Sequence, residues 1–305
     1  MKILLAALAV LSGVFVTVWA VYLRRTWHVN RRANSVEKDP NFLAQVGIGF
    51  FANFIDTLGI GSFATTSSIY KLLNAIPDDL IPGTMNVGHT LPTVVEAFIF
   101  VAVIPVDFRT MVFMIASACA GAWFGAGLIS DWPKRRIQIG LGIALICAAL
   151  LMLSSQLKLI PAGGDALGLG GVKLWFAVGA AFMLAAFQQL GIGFFAPCMI
   201  LVSLMGMNPR SAFPIMMGAC AFLMPVGSYR FMKSRRYSPK AAAGLTLGGI
   251  PAVMIAAYLV KSLPLGTVRW LVVFVVLYTA VMLLRSAAID RTNNSQDPVI
   301  HPFSG

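Results

Sequence analysis

Apolar positions along this chain come in blocks rather than in alternating stripes. A window of about 19 residues, the length that crosses a hydrocarbon core about 30 Å thick, selects segments at residues 3–23, 42–58, 62–76, 88–104, 110–129, 137–153, 174–190, 194–207, 212–232, 241–260 and 268–289. Each predicts a helix, because backbone polar groups inside a bilayer must be satisfied within their own segment. Residues 42–58 and 62–76 are only 17 and 15 residues long, short for straight spans. Between them stands Leu58-Gly59-Ile60-Gly61, followed by Ser62, Thr65, Thr66, Ser67 and Ser68.

That interruption recurs. Shifted by 132 residues, Leu58-Gly59-Ile60-Gly61 falls on Leu190-Gly191-Ile192-Gly193, Phe63-Ala64 on Phe195-Ala196, Pro77 on Pro209, Pro82 on Pro214 and Met85 on Met217. Matched glycines and prolines at one fixed offset indicate an internal repeat rather than generic leucine-rich composition. Five segments per half is an odd number, so the second copy enters from the side opposite the first. The expected fold is therefore all-α and polytopic. It has two inverted-topology repeats, whose broken or short helices meet near mid-membrane, and an additional N-terminal helix. The corresponding divisions are 1–40 for the first helix and a basic loop, 41–160 and 174–290 for the repeats, 161–173 for a Gly/Pro-rich linker and 291–305 for the tail.

Composition agrees with this solvent. The 305 residues are 58% hydrophobic and 11% charged, against about 25% charged in a soluble domain. The net charge of +12 resides in short basic runs between apolar blocks, which suits loops facing anionic lipid and not a nucleic-acid surface. Arg24–Lys38, Lys134-Arg135-Arg136, Arg230–Lys240 and Arg285 with Arg291 fall on one side, and isolated bases such as Arg109, Lys158, Lys173 and Arg269 on the other. The positive-inside rule then places the N-terminus outside and the C-terminus in the cytoplasm of a cell (inner or plasma) membrane. The first segment has some features of a signal peptide, but the arginines behind it favour a retained helix. Cys119, Cys147, Cys198 and Cys220 all lie in apolar blocks and form no disulfide framework.

The break itself suggests chemistry. Gly59 and Gly61 permit a sharp change of direction, after which a new helix starts with unpaired amides and the positive end of its dipole, both favourable to anions. Ser62, Thr65 and Thr66 add hydroxyls there; Gly191, Gly193 and Cys198 hold the corresponding places in the second copy, where Pro197 suits a first helical turn. Asn53 and Gln188 lie just before the breaks and complete the candidate substrate-binding set. Close helix packing at glycine and local back-bonding of the hydroxyls are the alternative.

At these residues the chain resembles the sulfite exporter TauE/SafE family (TSUP permeases). The copies read "GIGFFANFIDTLGIGSFATTSSIYKLL" and "LGIGFFAPCMILVSLMGMNPRSAFPIMMG", and the second continues into "LMPVGSYRFMKSRRYSPKAAAGLTLGGIPA". The resemblance spans 42–284. It implies a permease for small anions such as sulfite, thiosulfate, organosulfonates or related carboxylates, driven by an ion gradient. The first copy departs in having Gly61-Ser62-Phe63 where the family has a glycine run and proline, and the helix at 3–23 precedes the repeat.

Only Asp56 and Glu96 among the acids lie well inside apolar segments, where a charge costs at least about 2.5 kcal/mol and normally faces an interior or a cavity. His89, Thr93 and Glu96 share one helix face. Asp56, His89 and Glu96 are thus candidates for a proton relay or ion coupling, with interhelical hydrogen bonding as the alternative. Lys71 and Arg210 flank the short segments in equivalent regions and are candidates for steering an anion, or for snorkelling. The expected partners are a small anion, the bilayer and a coupling proton or sodium ion, with no cofactor and no nucleic acid. A membrane-embedded enzyme is disfavoured because no histidine or acidic cluster has ligand or acid–base spacing; a non-transporting assembly subunit would not need a symmetric, polar centre.

Overall fold

The structure is a computed structural model that describes residues 2–30, 41–129, 134–157, 164–188 and 194–294. Among these residues it is all-α. The helices are α1 (Lys2–Asn30), α2 (Phe42–Thr57), α3 (Ser62–Leu73), α4 (Ile81–Val103), α5 (Phe108–Ile129), α6 (Lys134–Gln156), α7 (Gly171–Gln188), α8 (Phe195–Leu204), α9 (Ala212–Lys233), α10 (Pro239–Ser262) and α11 (Leu265–Asn294). Single 3-10 turns precede α4 and α9 at Asp78–Leu80 and Pro209–Ser211.

Every predicted segment contains a helix. The largest differences are at α1, which ends at Asn30 rather than 23, and at α4, which begins at Ile81 rather than 88. Pro82 and Gly83 read as a loop, yet Pro82 occupies the first turn, where a missing amide costs nothing. Helices in α1, α4, α9, α10 and α11 are long and apolar enough to cross a membrane on their own. Large apolar side chains such as Val10, Phe124, Trp175, Tyr258 and Phe274 point outward, as a lipid-facing surface requires.

The element order α2 to α6 recurs as α7 to α11, each start displaced by 129 to 133 residues. Packing recurs as well. Helix α2 lies on α10 as α7 lies on α5, while α4 pairs with α9 and α6 with α11. In the centre the rings of Phe100 (α4) and Phe213 (α9) sit 5.2 Å apart, and Met111, Met114, Met199 and Met216 fill the space around them without exposure.

Contacts at the two ends fix the helix directions. At one end the linker ties several connections together. The Asp107 amide donates to the Leu167 carbonyl at 2.8 Å, the Asn208 amide to the Ala166 carbonyl at 2.9 Å, and Arg269 pairs with Asp165 at 2.8 Å. Arg210 at the same end donates to the carbonyl of Leu263, just past α10. At the other end, which carries Arg230, Lys233, Arg235 and Arg236, the Ser238 amide donates to Thr84 Oγ1 at 2.8 Å. Gly83 there abuts the Arg236 carbonyl so closely that a Cβ would collide with it. Helix α4 therefore runs from the basic face to the linker face and α9 runs back; α5 and α10 oppose one another likewise. The repeats are inverted.

The short helices do not each cross. Helix α2 lies beside α10 in the same direction, with Gln45 against Gly244, Val46 against Gly248 and Asn53 against Gly249. It thus enters from the basic face. Tyr70 of α3 then donates to Gln45 and packs with Ile48, Ala241 and Leu245, so α3 returns to that face. The second copy mirrors this from the linker face. Helix α7 runs along α5, with Trp175 stacked on Phe113 at 6.0 Å and Ser117 Oγ donating to the Val178 carbonyl at 2.6 Å; α8 then leads back to Met207, bridged to Ala166. Each half thus has one re-entrant hairpin and three traversing helices. That count is still odd, which is why the expected inversion survives the correction.

Candidate functional site

The α2–α3 turn is built by its glycines. Gly59 and Gly61 adopt φ of +97° and +95°, a region L-residues avoid. The amide of Gly59 donates to the Asp56 carbonyl at 2.7 Å and that of Ile60 to the Ile55 carbonyl at 3.2 Å, closing α2. Helix α3 then opens at Ser62 with no side-chain cap from Gly61. The carboxylate of Asp56 swings across the gap, and its Oδ2 accepts from Ser62 Oγ at 2.7 Å. The helix start proposed for an external anion is thus occupied on one side by the chain's own acid.

The first break and the residues that follow the second face one cavity of about 560 Å³. Its wall is formed by Asp56, Gly59 to Phe63 and Ser67 from the first hairpin, and by Phe194, Phe195 and Ala196 from the second. Helices α4, α5, α9 and α11 complete it through Asn86, Thr93, Trp123, Gly227, Arg230 and Thr279, among others. The first hairpin's tip touches the second hairpin, since a Cβ on Gly59 would press on the Met199 side chain of α8. Arg230 lies exposed in the last turn of α9, its guanidinium 4.8 Å from the centre of the Trp123 ring. This puts a cation at the cavity rim on the basic face and an acid at its floor.

Behind the floor lie two polar links between α2, α3 and α4. Asn53 Nδ2 donates to the Gly49 carbonyl at 2.6 Å, which turns its Oδ1 toward His89 Nδ1 at 3.1 Å. Nδ1 must therefore carry the imidazole hydrogen, leaving Nε2 to accept from Thr66 Oγ1 at 2.9 Å. His89 is fully buried and both nitrogens are committed. The second link joins Thr57 Oγ1 to Glu96 Oε1, while the same hydroxyl reaches the Asn53 carbonyl at 2.9 Å. Asp56 Oδ1 and Glu96 Oε2 are buried without a hydrogen-bond partner.

The candidates named from sequence divide accordingly. Asp56, Gly59, Gly61 and Ser62 line the cavity. Asn53, Thr66, His89 and Glu96 form the layer behind it. Thr65 bonds back to the Gly61 carbonyl at 3.2 Å, and Cys198 is buried in the core without reaching the cavity. Neither Lys71, exposed at the end of α3, nor Arg210, tied to Leu263, lies on the wall. Gly191 and Gly193 lie outside the described residues; Gln188 ends α7, and its side chain is likewise outside them. Arg230 was missed because it merges into the basic run before Lys240, though its position one turn before that run's glycine-free loop marks it as part of a helix. Trp123 carried no signal beyond its apolar block.

The all-α fold, lipid-facing exterior and inverted hairpins define a multi-pass membrane protein. Its first half matches the family model Sulfite exporter TauE/SafE over residues 2–152, so the family resembled by the doubled motif is confirmed there, and it is a family of membrane transporters. The match begins at Lys2, placing α1 within the family segment rather than ahead of it. No curated protein and no solved structure matches the chain.

Proposed function

We propose that this protein is a secondary transporter moving small anions (sulfite, thiosulfate, organosulfonates or related carboxylates) across the cell membrane by alternating access. The observation that carries the reading is a cavity bounded by the first glycine break and by Phe194 to Ala196, just after the second, at the junction of two inverted repeats, the arrangement in which secondary transporters hold substrate. Hydroxyls of Ser62, Ser67, Thr93 and Thr279 supply neutral donors, Arg230 supplies charge at the rim, and Phe63, Phe194 and Phe195 supply apolar wall. At about 560 Å³ the cavity exceeds what a bare four-atom oxyanion fills, given about 30 Å³ per liquid water. It has room for a hydrated oxyanion or for the carbon body of a sulfonate or carboxylate. The basic face is assigned to the cytoplasm by its arginines and lysines, with the N-terminus outside.

The test is uptake of radiolabelled sulfite, thiosulfate, ethanesulfonate and acetate into proteoliposomes under an imposed ion gradient. Saturable flux of at least one of them, competed by the others, is expected. No flux for any member would remove the anion-permease reading.

A further inference from the structure

Asp56 creates a difficulty for any anion at this site, and the difficulty points to the coupling ion. Resting on the anion-permease reading, we propose that Asp56 and Glu96 hold one exchangeable proton between them, and that an anion settles against Ser62 only when Asp56 carries it.

Three observations support this. First, Asp56 lines the cavity at the start of α3, the place where amides and hydroxyls favour an anion, and its Oδ2 already takes the Ser62 hydroxyl. An ionised Asp56 both repels an incoming anion and consumes its donor; a protonated Asp56 does neither and becomes a donor itself. Second, Asp56 and Glu96 are 2% and 0% exposed, and their four oxygens meet two hydroxyl donors, Ser62 and Thr57, leaving Asp56 Oδ1 and Glu96 Oε2 bare. Two buried carboxylates so poorly supplied cannot both stay ionised without a large desolvation cost. Third, the Glu96 end is arranged to accept a hydrogen. Thr57 Oγ1 has one hydrogen and faces two acceptors, the Asn53 carbonyl and Glu96. A proton on Glu96 lets the acid donate to Thr57 while Thr57 donates to Asn53, with no atom displaced.

Among the described residues no basic side chain pairs with Asp56 or Glu96, and Lys71 of α3 lies exposed at the helix end. His89 on α4 is committed at both nitrogens, and Tyr70 on α3 donates to Gln45. Helix α9 brings Cys220 and Arg230 to the cavity, the latter at its exposed rim. Helix α10, packed on α2 and α4, carries Lys240, Tyr258 and Lys261 as its titratable residues; α8 carries Cys198, and α1 brings Tyr22 and Arg24 toward its end. Two free carboxylate oxygens are too few to cage a sodium ion, which draws on several oxygens as other hard cations do.

The test is titration calorimetry of the purified protein with ethanesulfonate and thiosulfate, which remain ionised at every pH used, in buffers of different ionisation heat. At pH values high enough for the unliganded pair to have lost its proton, the wild type is expected to take up about one proton per anion, with affinity falling about tenfold per unit of rising pH. Asp56→Asn, which mimics the protonated acid, is expected to bind with no proton uptake and with pH-independent affinity. Binding by the wild type without uptake, uptake unchanged in Asp56→Asn, or a requirement for sodium in place of the proton each overturns the proposal while leaving the anion site intact. Absence of anion binding in both proteins at every pH overturns the proposal and the permease reading together. Infrared difference spectra need no ligand: the carbonyl stretch of a protonated carboxyl is expected in wild type at neutral pH and is lost in Glu96→Gln. A spectrum without that band counts against a proton held by the pair even if Asp56→Asn does not fold.

Discussion

Gly59 shows how much one residue can carry. Its φ of +97° suits glycine alone at little cost, and the missing Cβ is also what lets the first hairpin touch Met199. Gly59→Val should lower stability by about 2 kcal/mol, from backbone strain and overpacking together, read as a reduced thermal midpoint in detergent. His89 differs from its sequence-derived role. With one nitrogen on Asn53 and the other on Thr66 it fastens α4 to the hairpin, so His89→Ala should cost about 1–3 kcal/mol by leaving those groups unpaired. The same variant, where folded, should keep the pH dependence of anion binding, which separates fastening from proton handling. Arg230 predicts the reverse pattern. Arg230→Gln should weaken anion binding by about tenfold and barely move the thermal midpoint, because its side chain lies exposed at the rim. Polar residues inside apolar blocks were legible in sequence; which of them face the void was not, because that depends on partners brought in from α5, α9 and α11.

At the level of elements, capping is explicit where the sequence is short and polar. Asp107 precedes α5, and its Oδ2 accepts from the Thr110 amide and hydroxyl, each at 2.9 Å. The backbone bond from Thr110 holds this carboxyl below its ordinary range, opposed by some desolvation and helped by the Thr110 hydroxyl and by Arg109. A depressed folded-state value means the contribution is present at neutral pH and disappears as pH falls through it. Asp107→Ala should therefore lower stability by about 1 kcal/mol at neutral pH, with the gap between the two proteins closing in acid; thermal melts across pH check this. Helix existence was readable from apolar block length throughout. Whether a short block crosses or turns back was not, since 42–58 and 62–76 look alike in either case. The deciding information lies in long-range packing, with Gly248 and Gly244 of α10 pressed on the α2 backbone and Tyr70 reaching Gln45.

For the whole molecule, the hairpins leave α1, α4, α5, α6, α9, α10 and α11 to traverse the bundle. The described loops fall on the same faces as an eleven-crossing count predicts, while the first glycine break changes place, from the surface to the interior. A cysteine introduced at Ser67, on the cavity wall, should react with a charged thiol reagent added from the cytoplasmic side and be protected by bound anion. One introduced in the linker at Leu167 should react only from outside. Labelling of right-side-out and inverted vesicles decides between this map and its mirror image.

The contact of Gly59 with Met199 has an electrical consequence. Where the tip of a hairpin entering from one surface meets a helix of the hairpin entering from the other, side-chain packing such as Met199 on Gly59 separates the two compartments inside the protein. Because the cavity opens at the basic face, a membrane voltage worth about 2.3 kcal/mol per charge per 100 mV is concentrated on the packed layer beyond it. A charge passing from beside Asp56 toward the linker face would cross that layer, so turnover should respond to potential.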